Sequence, residues 1–479
     1  NIPRHPAGTS PLPLQQRRSL RPAIMRCLLS PVLGWLAVSM RVGFVSALRA
    51  RHDATSVRPG PDDSVFSQAL SCLRLTSPSL ELRYPEDAEE HMEEIRRAML
   101  PFQVEPVYGN TSRGPFHAEN LWMRLYLRWQ DAKAARSANL SDVFGPYVPI
   151  FTGWVDPWFS RAEGKGRFRY PKGFLPALRG VLRRDVPYIT VSQSDAGITG
   201  EAVNPEEVQG IRMEEYPNLL VLSAGGYGQV PLPLWKGIPP GRSGPNRVFG
   251  AVSTEPRPVR DYFVSYVGSV THAPKNMRAQ MKEVIERYAD QHGIEVGSAP
   301  TAGTWLRAGK GGTVFRKDVD FPSPPASRIL FYNNHSSQSQ MKNVWREVMM
   351  SSRFSLTPRG FGRTAYHLSE IITGGLIPVH VYTDVPWIPY REVYDTFGFH
   401  TDVAGLPALL DRLGSLSEEE LRAREARARA HSQSHWNAEG MQQQILKFMT
   451  GRGPNGEPDA GDLLCQRLPS SARDADEDA

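Results

Sequence analysis

Ser352 to Tyr390 reads SRFSLTPRGFGRTAYHLSEIITGGLIPVHVYTDVPWIPY. Its punctuation predicts a strand, a glycine-rich turn, a helix and a second strand. Arg353 to Leu356 is a short apolar-leaning run that stops at Pro358. Gly360 and Gly362 permit a tight turn. Ala365, Leu368, Ile371 and Ile372 recur at helical spacing, and Gly374 and Gly375 end the helix. Leu376 to Val381 is a β-rich run suited to a buried parallel strand. A turn that opens a helix aims backbone N–H groups and the positive dipole end at one spot, which suits an anion. Arg359 and Arg363 flank that spot with guanidinium forks that match phosphate geometry. Thr364 could bond a phosphate oxygen or cap the helix. Glu370 follows Arg363 by seven residues, about two helical turns, so it could face the same cleft and accept hydrogen bonds from ribose hydroxyls.

Working outward, the same alternation continues on both sides. Val186 to Val191 and Leu219 to Leu222 read as buried strands, and 116–130 as an amphipathic helix. Gly237 to Arg260 is rich in Gly, Pro and polar residues and reads as a domain linker. Beyond it, Tyr262 to Val267 reads as a strand, Lys275 to Gln291 and Met341 to Ser351 as helices. Ser417 to Glu420 is a capping box that opens a long Arg/Ala/Glu helix. Trp436 to Met449 is the last helix. Strands alternating with helices on either side of a linker predict an α/β chain of two Rossmann-like domains facing a cleft. The organisation expected is a basic leader with a signal peptide or anchor at 1–48 and a stem at 49–94. A first domain at 95–240, a linker at 241–258, a second domain at 259–450 and a disordered tail at 451–479 follow.

The quoted stretch resembles the exostosin family of glycosyltransferases, through Ser352, Phe354, Leu356, Pro358, Gly360, Glu370, Gly375, Ile377, Pro378, Val379, Pro389 and Tyr390. The family's cysteines are Ser355 and Leu376 here, and its helical arginine is His367. Weaker matches are Phe116 to Glu119, Val148 to Phe151, Tyr188 to Gly197 (with Ser194 for the family's His), Tyr262 to Ser269, and Arg278. The resemblance implies the GT-B arrangement, with acceptor held largely by the first domain and nucleotide donor by the second. It implies an inverting transfer from a nucleoside-diphosphate sugar, with uridine as the base, to a polysaccharide or glycoprotein glycan in the Golgi lumen. Arg359, Gly360, Gly362, Arg363, Thr364 and Glu370 would hold the donor, with no metal and no other cofactor. The alternative is a non-catalytic family member that binds glycan or joins a homo- or hetero-oligomer.

An inverting transfer needs a general base for the acceptor hydroxyl. Asp195 is the candidate, because it follows the strand that begins at Tyr188; the competing reading is an Asp that caps a turn beside Gly197. Glu119 and His117 are secondary candidates that could equally start a helix. Asp318-Val319-Asp320 is a D-x-D, the pattern that metal-dependent sugar transferases use, but no apolar strand precedes it and it reads as a loop. His431 and His435 sit at i, i+4 without an evident third metal ligand and read as surface residues.

The chain has 479 residues, enough for two to three domains. Its net charge of +6 is misleading as a global figure. Residues 1–58 hold nine arginines against one aspartate, and the rest holds 47 basic against 49 acidic residues. The folded part is therefore near neutral, which gives no general basis for nucleic-acid binding. Arg17, Arg18, Arg21 and Arg26 precede an apolar run from Cys27 to Met40, which fits a signal peptide core. If Arg41 snorkels, the run from Cys27 to Leu48 could instead anchor the chain to a membrane. Sequons at Asn110, Asn139 and Asn334 would matter in a secretory protein. Three cysteines, Cys27, Cys72 and Cys465, make no disulfide framework. A Cys72–Cys465 bridge is possible in an oxidising compartment, with nothing in the sequence to favour it.

Overall fold

Short runs of Val, Ile and Leu without polar alternation are what a sheet covered on both faces requires, and they form two parallel sheets here. The computed structural model describes residues 70–75, 77–103, 117–155, 170–195, 197–198, 213–235, 262–271, 273–297, 305–308, 312–315, 328–333 and 348–466. The leader at 1–48, the linker at 241–258, Asn110, Asn334, and Asp318 with Asp320 lie outside the described residues, as does the first part of the helix expected over 341–351, of which 348–350 is helical.

The first sheet has the order β1-β2-β3-β4, from Val148–Pro149, Tyr188–Ser192, Leu219–Ser223 and Val230–Pro231, all parallel. Helices α1 (Ala88–Met99), α2 (His117–Arg136), α3 (Leu140–Phe144) and α4 (Phe174–Val181) belong to it. In α1, His91, Met92, Ile95 and Met99 fall on one buried face, at the spacing an amphipathic helix needs. Burying each of its apolar side chains is worth about 1.5–3 kcal/mol. Leu70, Cys72 and Leu73 join the same core. The expectation of a stem over 49–94 is therefore corrected for 70–94, whose apolar residues are core.

The second sheet has the order β12-β11-β10-β5-β9-β6. In chain order these are β5 (Tyr262–Gly268), β6 (Glu295–Gly297), β9 (Arg328–Asn333), β10 (Ser352–Pro358), β11 (Ile377–Tyr382) and β12 (Phe399–Asp402), every neighbouring pair parallel. A separate hairpin pairs β7 (Trp305–Ala308) with β8 (Gly312–Phe315). Helices α5 (Met277–His292), α6 (Tyr366–Thr373), α7 (Arg391–Asp395), α8 (Leu406–Gly414), α9 (Glu418–Ser434) and α10 (Ala438–Thr450) complete the chain. Half of the expected capping box is present: the Glu420 N–H donates to Ser417 Oγ at 3.1 Å, while the Glu420 carboxylate pairs with Arg424 at 2.8 Å. Strands β5 and β10 are spatial neighbours, yet the chain leaves them in opposite directions across the sheet. That is a topological switch point, where the carboxyl ends of parallel strands open a crevice.

One apolar core packs against α5 and α8. The other is continuous between the first sheet and parts of the second half of the chain: Leu368 and Ile372 of α6, Ile388 to Phe397, Trp436, and Met441 to Met449. Helix α10 packs on α2 and α3, so the chain returns to the first domain at its end. Residues 451–466, expected as the start of a disordered tail, are instead tied down. Leu463 is buried, Lys447 pairs with Asp459 at 2.8 Å, and Cys465 is disulfide-bonded to Cys72 across 393 positions of sequence. Local composition could not anticipate these long-range partners.

Candidate functional site

The carboxyl end of β10 is held by arginines. Arg359 follows the strand directly and is 2% exposed. Its Nε donates to Gly362 O and one Nη to Phe361 O, both at 3.2 Å. The other Nη donates to Thr383 Oγ1 and pairs with Asp384. This corrects its assignment as a direct phosphate ligand. Its fork is spent inside the protein, and its role is to fix the shape of the glycine turn. Gly360 N–H donates to the carbonyl of buried Thr364 at 3.0 Å, which closes the turn. Helix α6 then starts at Tyr366, after an Ala365 N-cap whose side chain caps nothing.

Arg363 points the same way but is less enclosed. Its Nε donates to Asp384 Oδ2 at 2.9 Å and its Nη1 to Gly226 O at 3.1 Å. Its guanidinium carbon lies 4.5 Å from the centre of the Tyr227 ring. Asp384 thus answers two arginines at once. Burial acts to raise its pKa, but the Arg359 and Arg363 charges outweigh that and hold the carboxyl below its usual range.

Sequence reasoning used Arg278 only as a family landmark and missed Asp384 as a site residue. Arg278, near the start of α5, donates to Arg359 O at 2.8 Å, Ser269 O at 2.9 Å and Pro358 O at 3.3 Å. It therefore bridges the carboxyl ends of β5 and β10 at the switch point. Burial lowers its pKa, partly opposed by Tyr266. No carboxylate forms an ion pair with it among the described residues. Arg278, Arg359 and Arg363 thus converge on one crevice that Asp384 only partly neutralises. A basic residue one turn into a helix after a strand was the available signal for Arg278. Asp384 had none beyond its place after β11.

Glu370 lies on α6 with its Oε2 3.7 Å from His367 Nδ1. The His367 ring stands edge-on to Tyr266 at 6.4 Å, so this face of α6 looks toward the end of β5. Beneath the turn, His380 Nδ1 donates to Thr357 O at 2.9 Å, and burial pushes its pKa down to about 4.

Across the cleft stand the loops that follow β2 and β3. Asp195 is open to solvent, yet the surrounding protein mass raises its carboxyl pKa above the ordinary value. Its Cα lies 3.2 Å from where a Gly362 Cβ would be. Gln193 Nε2 donates to the Tyr366 hydroxyl oxygen across the domains at 3.1 Å. Burial raises the Tyr366 pKa to about 12, aided by the fields of Asp195, Glu119 and Glu370. The structure therefore brings Asp195, Arg363 and the turn 360–364 to one interdomain cleft, with Glu370 one helical turn beyond Tyr366. Glu119 is buried, and its carboxylate accepts N–H bonds from Trp154 at 2.9 Å, Val155 at 3.2 Å and Gln193 at 2.9 Å. It ties the ends of β1 and β2 together and so shapes the loop that carries Asp195. The His117 side chain lies outside the described residues.

His431 and His435 are corrected from surface residues. His435 is buried, with Nε2 2.8 Å from Asp462 Oδ2 and its ring edge-on to Tyr390 at 4.9 Å. Among the described residues, no group of three His, Cys, Asp or Glu could hold a metal ion, and no helix is long and apolar enough to cross a membrane.

No family model matches the chain, and no curated protein matches it. Among solved structures it is similar to that of WaaG, a glycosyltransferase involved in lipopolysaccharide biosynthesis. The identity is 12%, the TM-score 0.26, and the match covers 78% of this chain and 98% of that one. At that level the likeness carries no argument about chemistry. The chain itself is an α/β protein with two parallel, Rossmann-like sheets facing a cleft.

Proposed function

We propose that this chain is an inverting glycosyltransferase that moves a sugar from a nucleoside-diphosphate donor, with uridine as the base, to a glycan acceptor without a metal ion. The observation that carries the reading is the convergence of Arg278, Arg359 and Arg363 on the switch-point crevice against the single carboxylate of Asp384. Excess positive charge, a glycine turn and an uncapped helix start suit a diphosphate.

In the reaction, the Asp195 carboxylate takes the proton of the acceptor hydroxyl. The acceptor oxygen bonds to the anomeric carbon, and the bond from that carbon to the diphosphate oxygen breaks. The electron pair leaves on the diphosphate. The charge of Arg278 at the ends of β5 and β10 and the positive end of α6 stabilise the negative charge that develops there, and Arg363 can do so by rotating away from Gly226. Arg359 acts through the turn it shapes. Glu370 accepts hydrogen bonds from the ribose hydroxyls. A solvent-facing carboxyl with a raised pKa is a better proton acceptor than an ordinary aspartate.

The Cys72–Cys465 bond supports an oxidising compartment and so the secretory reading of the N-terminus; a membrane anchor there and a glycan acceptor in the Golgi lumen belong to the same proposal. A second reading is a non-catalytic glycan-binding or complex-forming partner of the same fold. It is favoured by the internal contacts that occupy Arg363. Calorimetry of the full chain against a panel of nucleotide sugars, with and without chelator, separates the two. Chelator-insensitive binding of one donor, weakened by Arg278→Ala and Glu370→Ala, is expected. Absence of binding to every donor by folded protein, unrestored by acceptor glycan, would leave the non-catalytic reading.

A further inference from the structure

Away from the cleft, the edge strand β12 begins at Phe399, and two cations share its ring. The guanidinium carbons of Arg412 from α8 and Arg424 from α9 lie 5.2 and 4.4 Å from the ring centre. With Asp395, His400 and Leu416 they line a recess of about 370 Å³. The interdomain cleft lies at the strands' carboxyl ends, whereas Phe399 is the first residue of its strand. The two places are therefore distinct.

The charges around the recess do not cancel. Arg424 pairs with Glu420 at 2.8 Å, and Arg391 pairs with Asp395 at 2.7 Å. Arg427 adds a fourth positive charge and reaches the same Glu420 at 3.5 Å. Arg412 makes no ion pair among the described residues; its recorded contact is the ring of Phe399. Holding like charges against one aromatic ring costs energy unless an anion joins them. The Arg424 pKa is lowered by burial first; Glu420 opposes that, and Arg427 and Arg412 add to it. His400 adds a polar group to the recess. Its Nε2 accepts from Arg391, which places the ring proton on Nδ1, and that buried atom has no hydrogen-bond partner.

We propose that this recess binds a sulfate or phosphate ester carried on a sugar, with Arg412 and Arg424 forking the oxyanion. Arginine forks match tetrahedral oxyanions. The volume falls at the lower end of the about 300–1,000 Å³ typical of small-ligand sites, room for a sugar unit beyond the charged group. The site does not depend on the transferase reading, because it requires neither the crevice nor Asp195.

The test is calorimetry of the full chain at low salt with sodium sulfate, sodium phosphate, glucose 6-sulfate and glucose 6-phosphate. The variants are Arg412→Gln, which removes the charge from an exposed position, and Arg412→Lys, which keeps the charge but loses the fork. A sugar ester is expected to bind at least about tenfold more tightly than the inorganic ion, and Arg412→Gln to weaken it by about tenfold or more. Arg412→Lys should fall between, and Arg278→Ala in the cleft should leave this binding unchanged. Equal affinity for free ion and sugar ester would keep the oxyanion site and overturn the sugar. No binding by the unsubstituted chain, or binding untouched by Arg412→Gln, overturns the site.

Discussion

The main-chain N–H of Arg363 donates to the carbonyl of Gly225 at 2.9 Å, and this one bond joins the carboxyl end of the second sheet to that of the first. Around it the backbones approach too closely for any side chain. A Cβ on Gly362 would lie 2.2 Å from Gly225 O, and one on Gly226, whose φ is +114°, would lie 2.4 Å from Arg363 Cβ. Trp387 Nε1 adds a bond to Ser223 O at 3.0 Å. The two domains meet through glycines, where the absence of side chains lets the backbones touch.

Gly362→Ala should therefore separate the two loops. The atoms that a methyl there would meet belong to the backbone, which cannot rotate away. Overpacking of this kind costs about 1–3 kcal/mol. The expected outcome is a lower Tm and weaker donor binding, measured by calorimetry. An unchanged Tm and unchanged donor affinity would show that the loops part freely.

Arg278→Ala and Arg359→Ala should separate into two phenotypes. Loss of a preorganised donor costs about 3–4 kcal/mol of barrier, so Arg278→Ala should lower kcat by about 10²–10³. Arg359→Ala unties the turn from Asp384 and should lower Tm first, with donor affinity falling as a consequence. Equal loss of Tm in both variants would assign Arg278 a structural role instead.

Asp195 sets the pH dependence. Its pKa is raised above the ordinary 3.8 by burial. The ionised form is penalised in the fold, so the penalty is absent below 3.8, grows as pH rises through the raised value, and stays constant above it. Transfer needs that ionised form, so kcat/KM should rise with pH through the raised value. Asp195→Asn should abolish this limb and most of the turnover while leaving donor affinity unchanged. Its Tm should be higher at neutral pH than that of the unsubstituted chain, since the penalised charge is gone. A pH limb that survives the substitution would pass the base to another group.

Asp384 has the opposite sign. Burial alone would raise its pKa, but Arg359 and Arg363 hold it below 3.8. The stability it contributes is fully present above 3.8 and is lost as pH falls through the depressed value. Acid unfolding of Asp384→Asn should show a shallower dependence over that window. An identical acid titration of stability in both proteins would rule out this linkage.

Reduction of Cys72–Cys465 should destabilise the whole molecule. The bond closes a loop spanning 393 positions. The chain-entropy relation gives about 6 kcal/mol for a loop of that length, and measured values are commonly about 2–4. The adjacent Gln466 donates its N–H to Gln229 O at 2.7 Å and its side-chain amide to Pro386 O at 3.0 Å, so it straddles both halves. Cys72→Ser is expected to lower Tm and to make it insensitive to reductant; a Tm equal to that of the oxidised chain would show the bond to be idle.

The sequence by itself determined the strand–turn–helix–strand unit of 352–382, the parallel sheets, the N-cap at Ser417 and the two-domain plan. Each of these is written in neighbours a few residues apart, through hydrophobic period, glycine placement and β-branched content. It also brought Asp195, Arg363 and Glu370 forward as candidates that the fold places at one cleft. Only the tertiary structure decided that Arg359 is a buried strut, that Asp384 answers two arginines, that Arg278 bridges two strand ends, and that Cys72 finds Cys465. The physical reason is that these depend on which strand ends and chain ends meet. Such meetings are fixed by the packing of whole sheets and helices, and no local pattern encodes the partner of a lone Asp, Arg or Cys far away in the chain.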